Sequence, residues 1–356
     1  MPKKLKICEF GSMLNLKQSA SLILAILLSA AAASAQTGIC DQAATQFRDH
    51  RWPDAAEAYA NCDKAAPGQT DALLYRGKAL VNQQEFPEAA ASLESYLATH
   101  PQSDDALYLL GYVRFRQDQP KESLALFTQA ARRKAPAADD LKIVALDYVL
   151  LNDYTSAARY LEQSLQMNPD DVEARYHLGR VRYQQNQFDP AIAAFEEVLR
   201  RNPSDVKAED NLGLCLEAKG RGDAALAAYR KAIAIESASS LQSEQPYLNL
   251  GKLLTTMNRA AEAVPVLSQA AMIAPDSATV HYELGRAQFS LERFEPARAQ
   301  LEKAVALDPK SSSPHYLLGR IYQRLGKREQ ATQQFKLTEE LIRQQNAKSG
   351  GMASSH

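Results

Sequence analysis

The sequence predicts an all-α fold built from nine stacked 34-residue helix-turn-helix repeats, and three observations carry that prediction. Small residues recur as Ala43, Gly77, Gly111, Ala145, Gly179, Gly213, Gly251, Gly285 and Gly319, with every interval 34 except one of 38. Twelve residues after each anchor stands Ala55, Ala89, Ser123, Ala157, Ala191, Ala225, Ala263, Ala297 or Ala331. Four further on comes a large apolar residue: Tyr59, Leu93, Phe127, Leu161, Phe195, Tyr229, Leu267, Leu301 or Phe335. Alanine is abundant, Val, Ile and Thr are sparse, and no alternating apolar run appears, which favours helices over strands.

The first element in chain order is an export segment. Lys3, Lys4, Lys6 and Lys17 precede the apolar run 21–33, which is short for a bilayer span, and Ala33-Ser34-Ala35 supplies the small residues a signal peptidase reads. Residues 1–35 are therefore expected to be a signal peptide cleaved after Ala35, giving a periplasmic or secreted protein. The competing reading is an uncleaved anchor helix, the only route to a membrane, with Met13 as an alternative start. Thr37-Gly38-Ile39 before Cys40 does not suit lipidation, because Ile39 stands where a small residue is needed. Cleavage takes four Lys and one Glu from 41 basic and 42 acidic residues, leaving 37 against 41, net −4. No whole-chain field then favours nucleic acid or anionic lipid.

The repeats follow at 36–69, 70–103, 104–137, 138–171, 172–205, 206–239, 244–277, 278–311 and 312–345, with a four-residue insertion at 240–243. Pro67, Pro101, Pro169, Pro203, Pro275 and Pro309 mark where a second helix must stop before the next begins. Small residues at the anchor and twelve positions later let two antiparallel helices approach closely. Ala43 and Ala145 are expected to replace Gly without harm, being equally compact. Gln42 and Gln46 give repeat 1 a polar terminal face, and Gln333, Gln334, Lys336, Glu339 and Glu340 make the last helix a solvating cap. Residues 346–356, polar with Gly and Ser, are expected to be disordered.

Leu178-Gly179, Ala191, Phe195 and Pro203 resemble the tetratricopeptide repeat, and the resemblance covers residues 36–345. It implies a right-handed α-solenoid superhelix whose first helix in each repeat lines a concave groove. Carried onto this chain, the groove positions of that family are Tyr108, Tyr112 and Phe115; Tyr176, Arg180 and Tyr183; Lys252; Tyr282, Arg286 and Phe289; Tyr316, Arg320 and Arg324. Lys78, Arg116 and Lys142 join them, against Asp210 and Glu217 of opposite sign. The inferred groove is thus basic and aromatic on an acidic protein. The alternative is that the tyrosines pack between repeats and the arginines are merely solvated. A carboxylate clamp of the kind some relatives use is not expected: Lys142 fills its first position, but Leu146 and His177 replace its partners.

Catalytic signatures are missing from the sequence: it has no phosphate loop, no Gly-x-Ser-x-Gly, no His-Glu-x-x-His and no Cys-x-x-Cys. No cofactor and no metal are expected. His281 and His315 occupy one ladder, yet no third ligand recurs beside them. Cys215 reads as a buried core thiol. Cys40 and Cys62 lie about ten residues either side of a turn near 49–52, which brings them level, and export favours their disulfide. The resulting expectation is a non-enzymatic scaffold of the cell envelope binding an acidic or extended polypeptide in its groove, either another envelope or secreted protein or an extended peptide, and no nucleic acid. The alternative is an accessory protein of exopolysaccharide synthesis or export.

Overall fold

The computed structural model describes residues 38–65, 67–68, 71–236 and 243–353. The expected signal segment and its cleavage point lie outside these residues, as does most of the 240–243 insertion. Among the described residues there are eighteen α-helices and no strand. They group into two compact units, one ending at Pro169 and one beginning at Asp170.

The first unit contains α1 (residues 38–48), α2 (Trp52–Ala65), α3 (Ala72–Asn82), α4 (Phe86–Thr99), α5 (Asp104–Arg116), α6 (Pro120–Ala131), α7 (Ala138–Leu150) and α8 (Tyr154–Met167). The second contains α9 (Val172–Gln184), α10 (Phe188–Arg201), α11 (Val206–Ala218), α12 (Gly222–Glu236), α13 (Gln245–Thr256), α14 (Ala260–Ile273), α15 (Ala278–Ser290), α16 (Phe294–Leu307), α17 (Ser312–Arg324) and α18 (Arg328–Ala353). Each repeat is one odd-numbered helix followed by one even-numbered helix. Where a disordered tail from 346 was expected, α18 continues to Ala353.

Local chemistry sets the boundaries. Ser103, Asp153, Asp171, Asp205 and Ser277 cap their helices by accepting a backbone N–H from three residues on. The turn inside every repeat uses one left-handed residue, seven past the anchor: His50, Gln84, Asp118, Asn152, Asn186, Gly220, Asn258, Glu292 and Gly326 all have φ between 56° and 74°. Asn, Asp and Gly tolerate that conformation, whereas Gln84 and Glu292 adopt it at a cost of about 1 kcal/mol each.

The interior repeats with the sequence period. The alanines twelve past each anchor are solvent-inaccessible from Ala55 to Ala297, and the large residues four further on, among them Leu93, Leu161, Phe195, Tyr229, Leu267 and Leu301, are fully buried. Each such side chain contributes about 1.5–3 kcal/mol. The anchors show why glycine predominates: a Cβ on Gly179 would lie 2.8 Å from the Phe195 ring, and one on Gly213 would lie 2.5 Å from the Tyr229 ring. Ala is therefore not equivalent to Gly at these seven anchors, although Ala43 and Ala145 are accommodated, fully buried, in repeats 1 and 4.

Odd helices do more than pair with their even partners. Within the first unit α3 touches α5 and α5 touches α7; within the second, α9, α11, α13, α15 and α17 touch in succession. The odd helices thus form the more crowded, inner layer of each unit. At the chain's start, Cys40 on α1 is bonded to Cys62 on α2, with Cα atoms 5.2 Å apart. No helix among the described residues is long and apolar enough to cross a membrane.

Candidate inner-face binding site

On the second unit's inner layer, α9 presents Tyr176, Arg180 and Tyr183 one turn apart. Tyr176 is half-buried, set edge-on to Phe195 at 5.8 Å, and its hydroxyl accepts a 3.3 Å bond from Asn211. Tyr183 packs on Phe188, the first residue of the following helix, at 5.7 Å. On α15, Tyr282 is half-buried and Phe289 meets Phe294 at 5.8 Å by the same contact. On α17, Tyr316 is 50% exposed and 6.0 Å from the Phe335 ring. These rings do two jobs at once: one face fills the space between helices and the other meets solvent.

The cations divide differently. Arg180, Lys252 and Arg320 are exposed and have no carboxylate within ion-pair distance among the described residues; Arg320 lies 4.9 Å over the Phe289 ring. Arg286 is tied down, its Nε donating at 2.6 Å to the buried Glu283 one turn earlier. The two acids expected to oppose this charge are turned to internal partners. Asp210 is buried, both its oxygens accept from the Asn249 amide at 3.0 and 3.1 Å, and burial pushes its carboxyl up to about 6. Glu217 accepts the Tyr229 hydroxyl at 2.9 Å. It also shares a cavity of about 240 Å³ with Tyr183, Asn249 and Lys252, so the basic row is interrupted there by one carboxylate.

In the first unit Tyr108 is 9% exposed, packs on Phe127, and donates its hydroxyl to the Lys134 carbonyl at 2.6 Å. It serves the interior of its repeat and not an open face. Tyr112 and Phe115 are half-buried, and Tyr112 accepts from Arg116, whose guanidinium lies 4.4 Å over Phe86. Lys78 sits 4.7 Å over Tyr75, and Lys142 pairs with Asp139 at 3.3 Å.

Other singled-out residues are structural ties. His281 bridges Gln300 at 2.7 Å and the Pro275 carbonyl at 2.9 Å, and His315 bonds Gln334 at 2.7 Å, so the ladder links each odd helix to its even partner. Among the described residues no three His, Cys, Asp or Glu gather as a metal set. Cys215 is buried, which pushes its thiol up to about 12. Sequence reasoning missed Asp147: fully buried on α7, it accepts the Ser123 hydroxyl at 2.5 Å, has no cation beside it, and is pushed up to about 7 by desolvation. Its column reads Thr45, Ala79, Val113, Val181, Cys215, Leu253, Ala287 and Ile321 elsewhere. An acid in a column that is otherwise apolar from repeat 2 onward, opposite a Ser in an alanine column, was the available signal.

Three profiles described as tetratricopeptide repeat match residues 40–104 and 74–139, 148–212 and 254–321, and 210–239 and 313–343. A tetratricopeptide repeat protein from Parabacteroides merdae is similar at 20% identity, covering 70% of this chain and 97% of that one, with a TM-score of 0.55. The C-terminal part of a repeat-containing protein from Cytophaga hutchinsonii is similar at 14%, covering 68% and 98%, with a TM-score of 0.56. At these identities the likeness is one of fold. The cellulose synthase operon protein C of Pseudomonas fluorescens (strain SBW25) is 27% identical over 154 residues, which are 41% of this chain; the match spans only 12% of that protein's length.

Proposed function

The chain belongs to the tetratricopeptide-repeat family, and on that premise we propose that it is a non-enzymatic scaffold of the cell envelope, holding an acidic, extended polypeptide against the inner helices of its second unit. Repeats of this kind generally act as protein-interaction surfaces. The observation that carries the specific reading is the row of exposed cations without carboxylate partners, Arg180, Lys252 and Arg320, interleaved with the half-exposed rings of Tyr176, Tyr282 and Tyr316. Guanidinium forks pair with carboxylates in two parallel hydrogen bonds, while rings cover the apolar stems between them. The Ala33-Ser34-Ala35 pattern and the Cys40–Cys62 bond both support an exported protein in an oxidising compartment.

A Glu-rich peptide titrated by calorimetry tests this. Arg180→Glu with Arg320→Glu should weaken binding by about 1.5–3 kcal/mol per contact and leave helix content unchanged. Arg286 is the wrong residue to reverse, since its loss would strand Glu283. Unchanged affinity in the double variant would remove the inner face from the account.

The similarity to a cellulose synthase operon protein supports a second reading, an accessory role in exopolysaccharide synthesis or export. Here the same tyrosine faces would stack on sugar rings. Calorimetry with cello-oligosaccharides separates the two, because stacking tolerates high salt while carboxylate pairing does not.

A further inference from the structure

In the first unit the junction between repeats 3 and 4 is incompletely filled. A cavity of about 260 Å³ opens between α6 on one side and α7 with α8 on the other. Its walls are mostly apolar and partly aromatic: Tyr108 and Phe127 form the buried floor with Leu141 and Val144, and Tyr148 and Tyr160, stacked at 5.5 Å and 6°, form a half-exposed side. The cause is readable in the repeat. Ala131 lines the opening, and its counterparts in five other repeats are Leu97, Leu165, Leu199, Ile233 and Val305, with Ala271 the one other small residue of the interior repeats. Leu97, Leu199, Ile233 and Val305 pack against buried clusters that run across neighbouring repeats. At Ala131 the aliphatic side chain that seals such a junction is absent.

The rim carries a charge that the fold leaves unused. Three cations follow α6 in sequence. Arg133 pairs with Asp104 at 3.4 Å and Lys134 with Asp105 at 2.8 Å, but Arg132, which lines the cavity, is exposed and has no acidic partner among the described residues. A space of this size lined mainly by aliphatic side chains and ring faces offers water few hydrogen bonds, so an apolar group gains by displacing it. A guanidinium at its lip favours a carboxylate beside that group.

We infer that this crevice is a second peptide-binding site, which takes one aromatic side chain of a partner polypeptide while Arg132 pairs with a carboxylate flanking that residue. It lies wholly within the first unit and stands independently of the inner-face reading for the second.

The probe is the pentapeptide acetyl-Asp-Glu-Phe-Asp-Glu-amide, titrated to millimolar concentration into the full chain while backbone amide resonances are followed. Saturable shifts confined to α6, the turn after it and α8 are expected. Replacing the peptide's Phe with Ala should abolish them. Arg132→Gln should weaken binding about tenfold, in line with a charge-assisted contact. Ala131→Leu, which restores the side chain of the sister repeats, should abolish binding while raising the melting temperature, a pairing that general damage to the fold would not produce. The assignment is overturned if Ala131→Leu binds the peptide as wild type does, if it melts lower, if the Phe and Ala peptides behave alike, or if the shifts fall only on the odd helices of the second unit. That last outcome would sink the crevice and leave the inner-face reading standing.

Discussion

Asp147 should make the first unit's stability depend on pH in a direction opposite to the usual behaviour of protein carboxylates. Its carboxyl is fully buried, its one polar partner is the Ser123 hydroxyl, and its pKa is displaced from 3.8 to about 7. Below pH 3.8 both the folded and the unfolded chain hold the proton, and the group has no effect on stability. From there to pH 7 the unfolded chain releases a proton that the folded chain keeps, so stability falls by about 1.4 kcal/mol per pH unit. Above pH 7 both have released it, and the full penalty, on the order of 4 kcal/mol, persists. Asp147→Asn keeps an acceptor for Ser123 but cannot ionise. Hydrogen exchange of α6 and α7 amides, which reads local opening in a stack that need not unfold as one, should show the Asn variant near parity at pH 4 and progressively more protected towards pH 8. Asp210, also displaced upward, is common to both proteins and cancels in the comparison. A difference that stays constant between pH 4 and pH 8 would refute the reasoning, because no proton would then be linked to burial of this side chain.

Three further outcomes follow from the packing. Gly213→Ala should destabilise the second unit by about 1–2 kcal/mol in urea titrations, because overpacking against Tyr229 outweighs the better helix propensity of Ala. Gln84→Gly and Glu292→Gly should each raise stability by about 0.5–1 kcal/mol in thermal melts, relieving a left-handed conformation that a side chain disfavours. Reducing the Cys40–Cys62 bond, which spans a sequence separation of 22, should cost repeat 1 about 3 kcal/mol and make exchange of α1 and α2 amides the first to speed up; unaltered exchange there would show that the bond carries no stability.

The repeat architecture was legible because its determinants are columns: a small anchor, an alanine twelve on and a large residue sixteen on are the same three contacts made nine times. Columns also hide what varies within them. Tyr108 and Tyr176 share a register, yet one is sealed under the Lys134 carbonyl and the other half-open, since the turn after α6 departs from the Asn-Pro pattern that follows α8 and α10. In the left-handed turn column, Asn152, Asn186, Asn258, Gly220 and Gly326 announce the conformation, whereas Gln84 and Glu292 give no local sign and are forced by the helices on either side. The Arg286–Glu283 pair was readable from its three-residue spacing; what spacing could not show is that Glu283 is buried, and that burial is what takes the arginine out of the exposed row.

Among the described residues, the substantial helix contacts in either unit all join a helix to the next one or the next but one. This packing therefore does not wait for a distant stretch of chain to be in place, and the loop-closure entropy that slows folds with long-range pairing stays small. Ordering can start at any repeat and spread in both directions, so a chain supplied one end first need not wait for its other end. The same locality confines damage: a repeat that opens exposes its two neighbours' faces and leaves the remainder folded.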